Sequence, residues 1–190
     1  MNLIDKGKKS LADLVGKSRY EVMVETTAIL TELMENEGII PIVVGGLAVE
    51  VYTRGQYTTL DIDLVMMRRD YADDVLKALG FSKEGRHWYH AELEVAIEIP
   101  GNVLADADYE KVTKINLPSG RHIYVIGLED IILDRLRACV HWESTSDCEW
   151  GLRMLKVHKA YLDKEYMFQM VDKDKVETAD KLKDWFCEAE

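Results

Sequence analysis

Cysteine is scarce in this sequence, which has only three in 190 residues: Cys139, Cys148 and Cys187. Their number is odd and their spacing contains no CxxC pair, so a structural zinc site is not indicated. A protein with so few cysteines is typical of a reducing compartment, where thiols stay reduced. We therefore expect reduced thiols in a cytoplasmic protein.

Long apolar runs are also missing, although hydrophobic residues make up 47% of the chain. No run approaches the roughly 20 residues that a membrane-spanning helix needs. The segment MNLIDKGKKSLADL lacks an uninterrupted apolar stretch, so we expect no signal peptide. The composition instead predicts a globular protein with one sizeable core.

Positive charge is in deficit, with 24 Lys and Arg against 35 Asp and Glu, which gives a net charge of −11. Binding along a nucleic-acid backbone requires clustered Lys and Arg, so this balance disfavours it. The chain has no Gly-x-Ser-x-Gly elbow, which disfavours an α/β-hydrolase. It also lacks a Walker-type Gly-Lys-Ser/Thr sequence, which disfavours a P-loop enzyme.

The most informative segment that is present is IIPIVVGGLAVEVYTRGQYTTLDIDLVM, residues 39–66. Its apolar, β-branched start predicts a buried strand, and the spacing of apolar residues after Gly45 and Gly46 predicts a helix. Two glycines at a strand-to-helix junction allow a phosphate to approach the backbone. The unpaired N–H groups at the start of a helix are suited to bind such a phosphate.

A second predicted strand follows and carries Asp61 and Asp63. Residues two apart in a strand lie on the same face, so we expect Leu60, Ile62 and Leu64 to lie on the opposite face and to point into the core. Two neighbouring carboxylates repel each other unless a cation neutralises them. Oxygen ligands of this kind suit Mg²⁺ bound together with substrate phosphates. The segment therefore predicts a site for a nucleoside triphosphate (NTP).

The order of elements in this segment resembles the signature of the polymerase-β-like nucleotidyltransferase superfamily. That order is Val44-Gly45-Gly46, then a helix, then Asp61-Ile62-Asp63-Leu64. More narrowly, the segment is similar to small bacterial nucleotidyltransferases of toxin–antitoxin systems and of antibiotic modification. The resemblance implies an NTP such as ATP as a substrate, and Mg²⁺ or Mn²⁺ as the cofactor. It also implies metal-binding and catalytic roles for Asp61 and Asp63.

The sequence departs from this signature at two places. Fourteen residues separate Gly46 from Asp61, one more than in the usual pattern. Tyr57 stands where many relatives have an arginine, two residues before the threonine of the turn, which is Thr59 here. We therefore expect Gly45, Gly46, Thr59 and Arg54 to bind the nucleotide, with Arg54 replacing the missing arginine.

The resemblance also implies a third carboxylate, which binds metal and accepts a proton from the attacking hydroxyl, on a neighbouring strand. The alternating segment from Glu92 to Ile99 supplies the candidates. Glu98 is our first choice for both the metal and the catalytic role, and Glu94 is the alternative. His87 and His90 precede this segment three residues apart, so on a β-strand they would face opposite ways and would not share a metal.

The rest of the chain predicts a helix near residues 18–37 that is capped by Ser18, and a β-hairpin around Pro118–Arg121. From Leu128 onward the pattern is helical, with helices expected near 128–140, 146–162 and 173–187. We predict an α+β fold in which helices flank a mixed, nucleotidyltransferase-like β-sheet. Residues 1–127 would form the core, and residues 128–190 a helical extension packed on it.

The function implied by the resemblance is Mg²⁺-dependent transfer of a nucleoside monophosphate from an NTP to a hydroxyl acceptor, with release of pyrophosphate. The acceptor would be a small molecule or a protein, and the acidic composition makes a tRNA end less favoured. The alternative is a non-catalytic nucleotide-binding regulator or toxin–antitoxin partner. The polar residues Arg135, Arg137 and Asp147 would either assist the nucleotide or form structural salt bridges.

Overall fold

A computed structural model describes residues 2–189 of the chain. The α-helices are α1 (Leu3–Ala12), α2 (Arg19–Glu35), α3 (Gly45–Tyr52), α4 (Arg69–Leu79), α5 (Leu128–His141), α6 (Thr145–His158), α7 (Lys164–Val171) and α8 (Val176–Glu188). The strands are β1 (Ile42–Val44), β2 (Asp61–Val65), β3 (Ser82–Glu84), β4 (His87–His90), β5 (Val95–Gly101), β6 (Thr113–Asn116) and β7 (His122–Val125). Within residues 2–189, no helix is both long enough and apolar enough to span a membrane.

The chain divides into two compact units. The first runs to Ala105 and includes Val112–Ile126, and the second comprises Asp106–Lys111 and the chain from Gly127 onward. All seven strands belong to the first unit, which therefore contains the whole sheet. The packing that we expected for the helical extension stays a prediction.

The strands form one mixed sheet in the order β3-β4-β5-β2-β1-β7-β6. Strand β2 is parallel to β5 and antiparallel to β1. In β2 the side chains of Ile62 and Leu64 are completely buried, whereas Asp61 and Asp63 on the opposite face are only partly buried. The predicted separation of apolar and acidic faces is thus confirmed for Ile62 and Leu64. It is wrong for Leu60, which is 71% exposed because it lies in the loop before β2 begins at Asp61.

Helix α2 begins as predicted, because Ser18 and Glu21 form a complete capping box. Its burial is wider than a single apolar stripe, however, since Thr27 and Thr31 are also fully buried. The hydroxyl of Thr27 donates to the Met23 carbonyl and that of Thr31 to the Thr27 carbonyl, each at 2.9 Å. The helix contacts α1 as well as β2 and β7, so it is covered on more than one side.

The segment before Pro100 differs from our expectation. Residues His87–His90 form the separate strand β4, which pairs antiparallel with β5. Strand β5 begins only at Val95, and Glu94 lies in the preceding turn with φ = 51°. The alternating pattern therefore predicts β5 correctly from Val95 onward, but the strand does not extend back to Glu92.

The loop between α3 and β2 is held by a buried carboxylate and an arginine. Glu50 on α3 is 5% exposed, and its Oε2 accepts a hydrogen bond from the Thr59 backbone N–H at 3.3 Å. Arg19, the first residue of α2, donates to the Thr59 and Leu60 carbonyls at 3.2 and 2.5 Å. These contacts fix the chain immediately before Asp61.

The second unit is organised by charged groups on α5. The Asp130 carboxylate is buried and accepts hydrogen bonds from the Tyr166 hydroxyl at 2.5 Å and from the Asp108 N–H at 3.2 Å. Arg135 pairs with Asp147 in α6, and Arg137 pairs with Asp174, each at 2.7 Å. Helix α7, which carries Tyr166, lies where we predicted no helix.

The expectation of three reduced thiols is wrong for this structure. Cys139 and Cys148 form a disulfide, with their Cα atoms 4.7 Å apart, while Cys187 is free and exposed. The reason is tertiary: Cys139 lies near the end of α5 and Cys148 near the start of α6, and these helices pack against each other. The nine-residue separation gives no sign of this contact.

We predict that the unreduced protein, unfolded in guanidinium, exposes one reactive thiol, Cys187, rather than three. Quantitative thiol titration measures this number, and three reactive thiols would contradict the disulfide. The closed loop is short, so we expect Cys148→Ser to lower the free energy of unfolding by about 2.5 kcal/mol. Cys187→Ser removes an exposed sulfur and serves as the matched control in the same unfolding experiment.

The buried carboxyl group of Glu50 should make the free energy of unfolding depend on pH. Burial raises the pKa of Glu50 above its ordinary value of 4.5, despite the opposing hydrogen bond from Thr59. A raised pKa in the folded state means that the stability contributed by this group is greatest at low pH and is lost as pH rises through the folded-state pKa.

The unfolding free energy of the wild type, relative to that of Glu50→Gln, should therefore decrease as pH rises from 4 to 7. Urea unfolding across this range measures the difference, and Glu84→Gln, which removes an exposed carboxylate of the same unit, supplies the baseline. A difference that is constant or moves in the wild type's favour with rising pH would contradict the prediction.

Candidate active site

One row of residues crosses four neighbouring strands of the sheet. Val44 is the register partner of Asp63, Asp63 of Glu98, and Glu98 of His87. Register partners on adjacent strands lie side by side with side chains on the same face. The sheet therefore places Asp63, Glu98 and His87 on one face, beside the Asp61 carboxylate that is two residues from Asp63.

The two aspartates of β2 have different surroundings. Asp61 Oδ1 accepts a hydrogen bond from the Thr59 hydroxyl at 3.1 Å. Ligand atoms of Asp61, His87 and Glu98 all lie within 4.8 Å of one another, and this is the only such group among residues 2–189. Asp63 instead lies against Gly45 at the start of α3. The structure thus groups Asp61 and Glu98 with a histidine.

The glycine pair is explained by close approach of these side chains. A Cβ on Gly45 would overlap the Asp63 carboxylate, and Gly45 also has φ = +59°, a conformation that L-residues rarely adopt. A Cβ on Gly46 would lie 2.8 Å from Thr59 Cβ. Both glycines are therefore required where the start of α3 meets the acidic face of β2.

The same junction leaves the start of α3 without a side-chain cap, because the N-cap residue is Val44. The first N–H groups of a helix have no partners within the helix, and the helix dipole makes this end attractive to anions. This helix end adjoins Asp63. The sequence analysis assigns Asp63, Thr59 and the two glycines to one site, and the structure adds that Asp63 lies directly against Gly45 and Thr59 directly against Gly46.

Glu98 is the most enclosed carboxylate of the group, with its side chain 12% exposed. Its Oε1 lies 3.2 Å from Arg86 Nε and its Oε2 lies 3.6 Å from His87 Nδ1. Arg86 Nε also donates to His87 Nε2 at 3.3 Å. Arg86 and His87 come from the β3–β4 turn and the start of β4, so two basic side chains approach the carboxylates from this hairpin.

Two other candidates from the sequence lie elsewhere. Arg54 follows the far end of α3, roughly 13 Å along the helix from Gly45, and its side chain is exposed. Glu94 is exposed in the turn before β5. The structure therefore brings Gly45, Gly46, Thr59, Asp61, Asp63 and Glu98 together, and it does not bring Arg54 or Glu94 to them.

Sequence reasoning missed Arg86 and His87. We correctly expected His87 and His90 to face opposite ways, since His90 packs against Phe81. Trp88, next to His87, is 5% exposed and marks the core side of β4. The alternation of a buried Trp88 with His87 and Tyr89 is the one local signal that places His87 on the acidic face.

Comparison with known proteins supports the fold assignment. No family model and no curated protein matches the sequence. Among solved structures, an antigenic nucleotidyltransferase-like protein from Paracoccidioides brasiliensis matches with a TM-score of 0.56 at 14% identity, over 84% of this chain and 91% of that one. ANT(2'')-Ia in complex with adenylyl-2''-tobramycin matches with a TM-score of 0.50 at 17% identity, over 82% and 94%.

Identities this low establish similarity of fold rather than of activity. Both structures share the arrangement found here over most of the chain. The predicted α+β class, a mixed sheet with helices and a helical C-terminal region, is confirmed. The chain has the nucleotidyltransferase-like fold.

Proposed function

We propose that this protein is a nucleotidyltransferase, which transfers a nucleoside monophosphate from an NTP to a hydroxyl acceptor and releases pyrophosphate. One observation carries the proposal: Asp63 and Glu98 are register partners on parallel strands, beside Asp61 and next to the uncapped start of α3. Acidic groups bind the metal and a helix N-terminus binds phosphate, so together they form a site suited to a metal-bound triphosphate.

The donor set fits the Mg²⁺ ion that the fold implies. Asp61 and Glu98 offer carboxylate oxygens within 4.8 Å of each other, and Asp63 lies on the same face of β2. Hard carboxylate oxygens are the protein ligands that Mg²⁺ prefers. When bound, Mg²⁺ would neutralise charge on the phosphates and polarise the phosphorus under attack.

The protein groups have separate roles in this proposal. The N–H groups at Gly45 and Gly46 bind the terminal phosphates, which would leave as pyrophosphate. The Thr59 hydroxyl orients the Asp61 carboxylate through its hydrogen bond. Glu98 accepts the proton of the acceptor hydroxyl as its oxygen attacks the α-phosphorus. Rate enhancement then comes mainly from alignment and charge neutralisation.

The proposed acceptor is a small hydroxyl compound. The ANT(2'')-Ia structure contains an adenylylated antibiotic, adenylyl-2''-tobramycin, so this fold accommodates acceptors of that size. A net charge of −11 repels polyanions and favours a neutral or cationic acceptor. A protein hydroxyl is compatible with the same charge, whereas a tRNA end is disfavoured by it.

The double variant Asp61→Asn/Asp63→Asn tests the site. It removes the negative charges of both β2 carboxylates but keeps side chains of nearly the same size. The fold should therefore persist while Mg²⁺-dependent NTP binding is lost. Calorimetric titration of each NTP, with and without Mg²⁺, measures this binding and identifies the preferred base. Pyrophosphate release in the presence of small hydroxyl compounds measures the transfer.

Asp74→Asn, an exposed aspartate on α4, is the matched control and should bind NTP as the wild type does. Equal binding by the double variant and the control would disprove the site. Mg²⁺-dependent NTP binding without pyrophosphate release across a broad set of acceptors would instead identify the alternative, a nucleotide-binding regulator.

Gly45→Ala tests the helix start. The new methyl group must displace the Asp63 carboxylate in addition to adopting an unfavourable positive φ. Gly38→Ala is the matched control, because Gly38 has φ = +70° and open space around its Cβ position. We expect Gly38→Ala to lower the free energy of unfolding by about 1 kcal/mol, and Gly45→Ala to lower it further and to weaken NTP binding. Urea unfolding and NTP titration measure the two effects, and equal behaviour of the two variants would show that the contact with Asp63 is unimportant.

A further inference from the structure

We propose that His87 is a metal ligand, so that Asp61, Glu98 and His87 form a mixed oxygen–nitrogen cation site that prefers a first-row transition-metal ion such as Mn²⁺ to Mg²⁺. The inference deepens the proposed function and rests on it for the role of the ion. The site itself is argued from side-chain geometry, and it can be tested without any nucleotide.

Distances between the ligand atoms support the site. Two ligands about 2.1 Å from one ion, at adjacent positions, are about 3.0–3.4 Å apart. His87 Nδ1 and Glu98 Oε2 are already 3.6 Å apart, and no pair of ligand atoms in the group exceeds 4.8 Å. Side-chain rotations that move the ligand atoms by about 1 Å therefore suffice to bring the three groups around one ion.

The fold holds the His87 side chain in this position. His87 and Glu98 are register partners in the antiparallel pair of β4 and β5, so their side chains must share a face. The next residue, Trp88, is buried on the other face, and its indole N–H donates to Asp73 at 2.9 Å. A slip of β4 by one residue would expose Trp88, so this anchor opposes any change of register.

Arg86 shows that positive charge is favoured at this point. Its guanidinium contacts both Glu98 and His87, yet its side chain is 72% exposed. The exposed guanidinium remains accessible to water, and holding this long side chain in one position costs conformational freedom. An incoming divalent ion would replace the positive charge beside Glu98 while water hydrates the displaced Arg86, and the displaced guanidinium would lie close to any bound phosphates.

The ligand types set the preference among ions. Mg²⁺ takes oxygen ligands, whereas imidazole nitrogen is a common ligand of first-row transition metals. Mn²⁺ accepts carboxylates and water as Mg²⁺ does, so it is the transition-metal probe that differs least from Mg²⁺. An imidazole in the group thus adds affinity for Mn²⁺ that Mg²⁺ does not gain.

The test uses Mn²⁺ and the whole 190-residue chain without nucleotide. Electron paramagnetic resonance of free Mn²⁺ gives the affinity, and competition with Mg²⁺ gives the preference. We expect His87→Asn to weaken Mn²⁺ binding by about tenfold or more and to reduce the preference for Mn²⁺ over Mg²⁺. Arg86→Gln should strengthen the binding of both ions. His158→Asn, which removes an imidazole from α6, is the matched control and should change neither.

Electron spin-echo spectroscopy of the bound Mn²⁺ supplies a direct readout. The wild type should show nitrogen-14 coupling from a coordinated imidazole, and His87→Asn should lack it. Mn²⁺ bound without nitrogen coupling, or an unchanged preference in His87→Asn, would overturn the role of His87 while leaving Mg²⁺-dependent NTP binding intact. If the wild type shows the nitrogen coupling but does not bind NTP in the presence of Mg²⁺, the proposed function is overturned and the role of His87 as a metal ligand stands.

Discussion

Repulsion among three carboxylates is the constraint on which the site depends. Asp61, Asp63 and Glu98 lie on one face of two adjacent strands and are at most partly exposed, so their charges are incompletely screened. Groups that offset negative charge surround them: the Thr59 hydroxyl, the start of α3, and the Arg86 and His87 side chains. A site built in this way is suited to bind a cation and a polyphosphate together, because each reduces the electrostatic cost of the other.

The hydrophobic core keeps the carboxylates in this arrangement. Ile62, Leu64 and Ile97 are completely buried on the opposite faces of β2 and β5, and Trp88 is nearly so on β4. A shift of any one of these strands by one residue would bury an acidic or basic side chain and expose an apolar one. The free energy that maintains the site therefore comes mainly from apolar burial on the other side of the sheet.

Features encoded by local sequence were predicted well. The capping box of α2, the glycine junction before α3, the alternation of β2 and the β6–β7 hairpin all depend on residues close together in the chain. The β4–β5 hairpin was missed because its turn, residues 91–94 (AELE), contains no glycine, proline or asparagine and uses Glu94 in a left-handed conformation. Helix α7 and the disulfide were missed because both depend on packing within the second unit.

The sequence by itself determined the glycine junction and the acidic face of β2, since a glycine pair and alternating aspartates restrict the backbone and the faces of the sheet locally. The nucleotidyltransferase-like fold was implied by the resemblance of this segment to a known signature. Tertiary structure decided which side chains meet at the acidic face. The register of β5 with β2 selected Glu98 rather than Glu94, and the register of β4 brought His87 to the carboxylates. Pairing between strands distant in sequence depends on the packing of the whole core, and no short-range pattern records it.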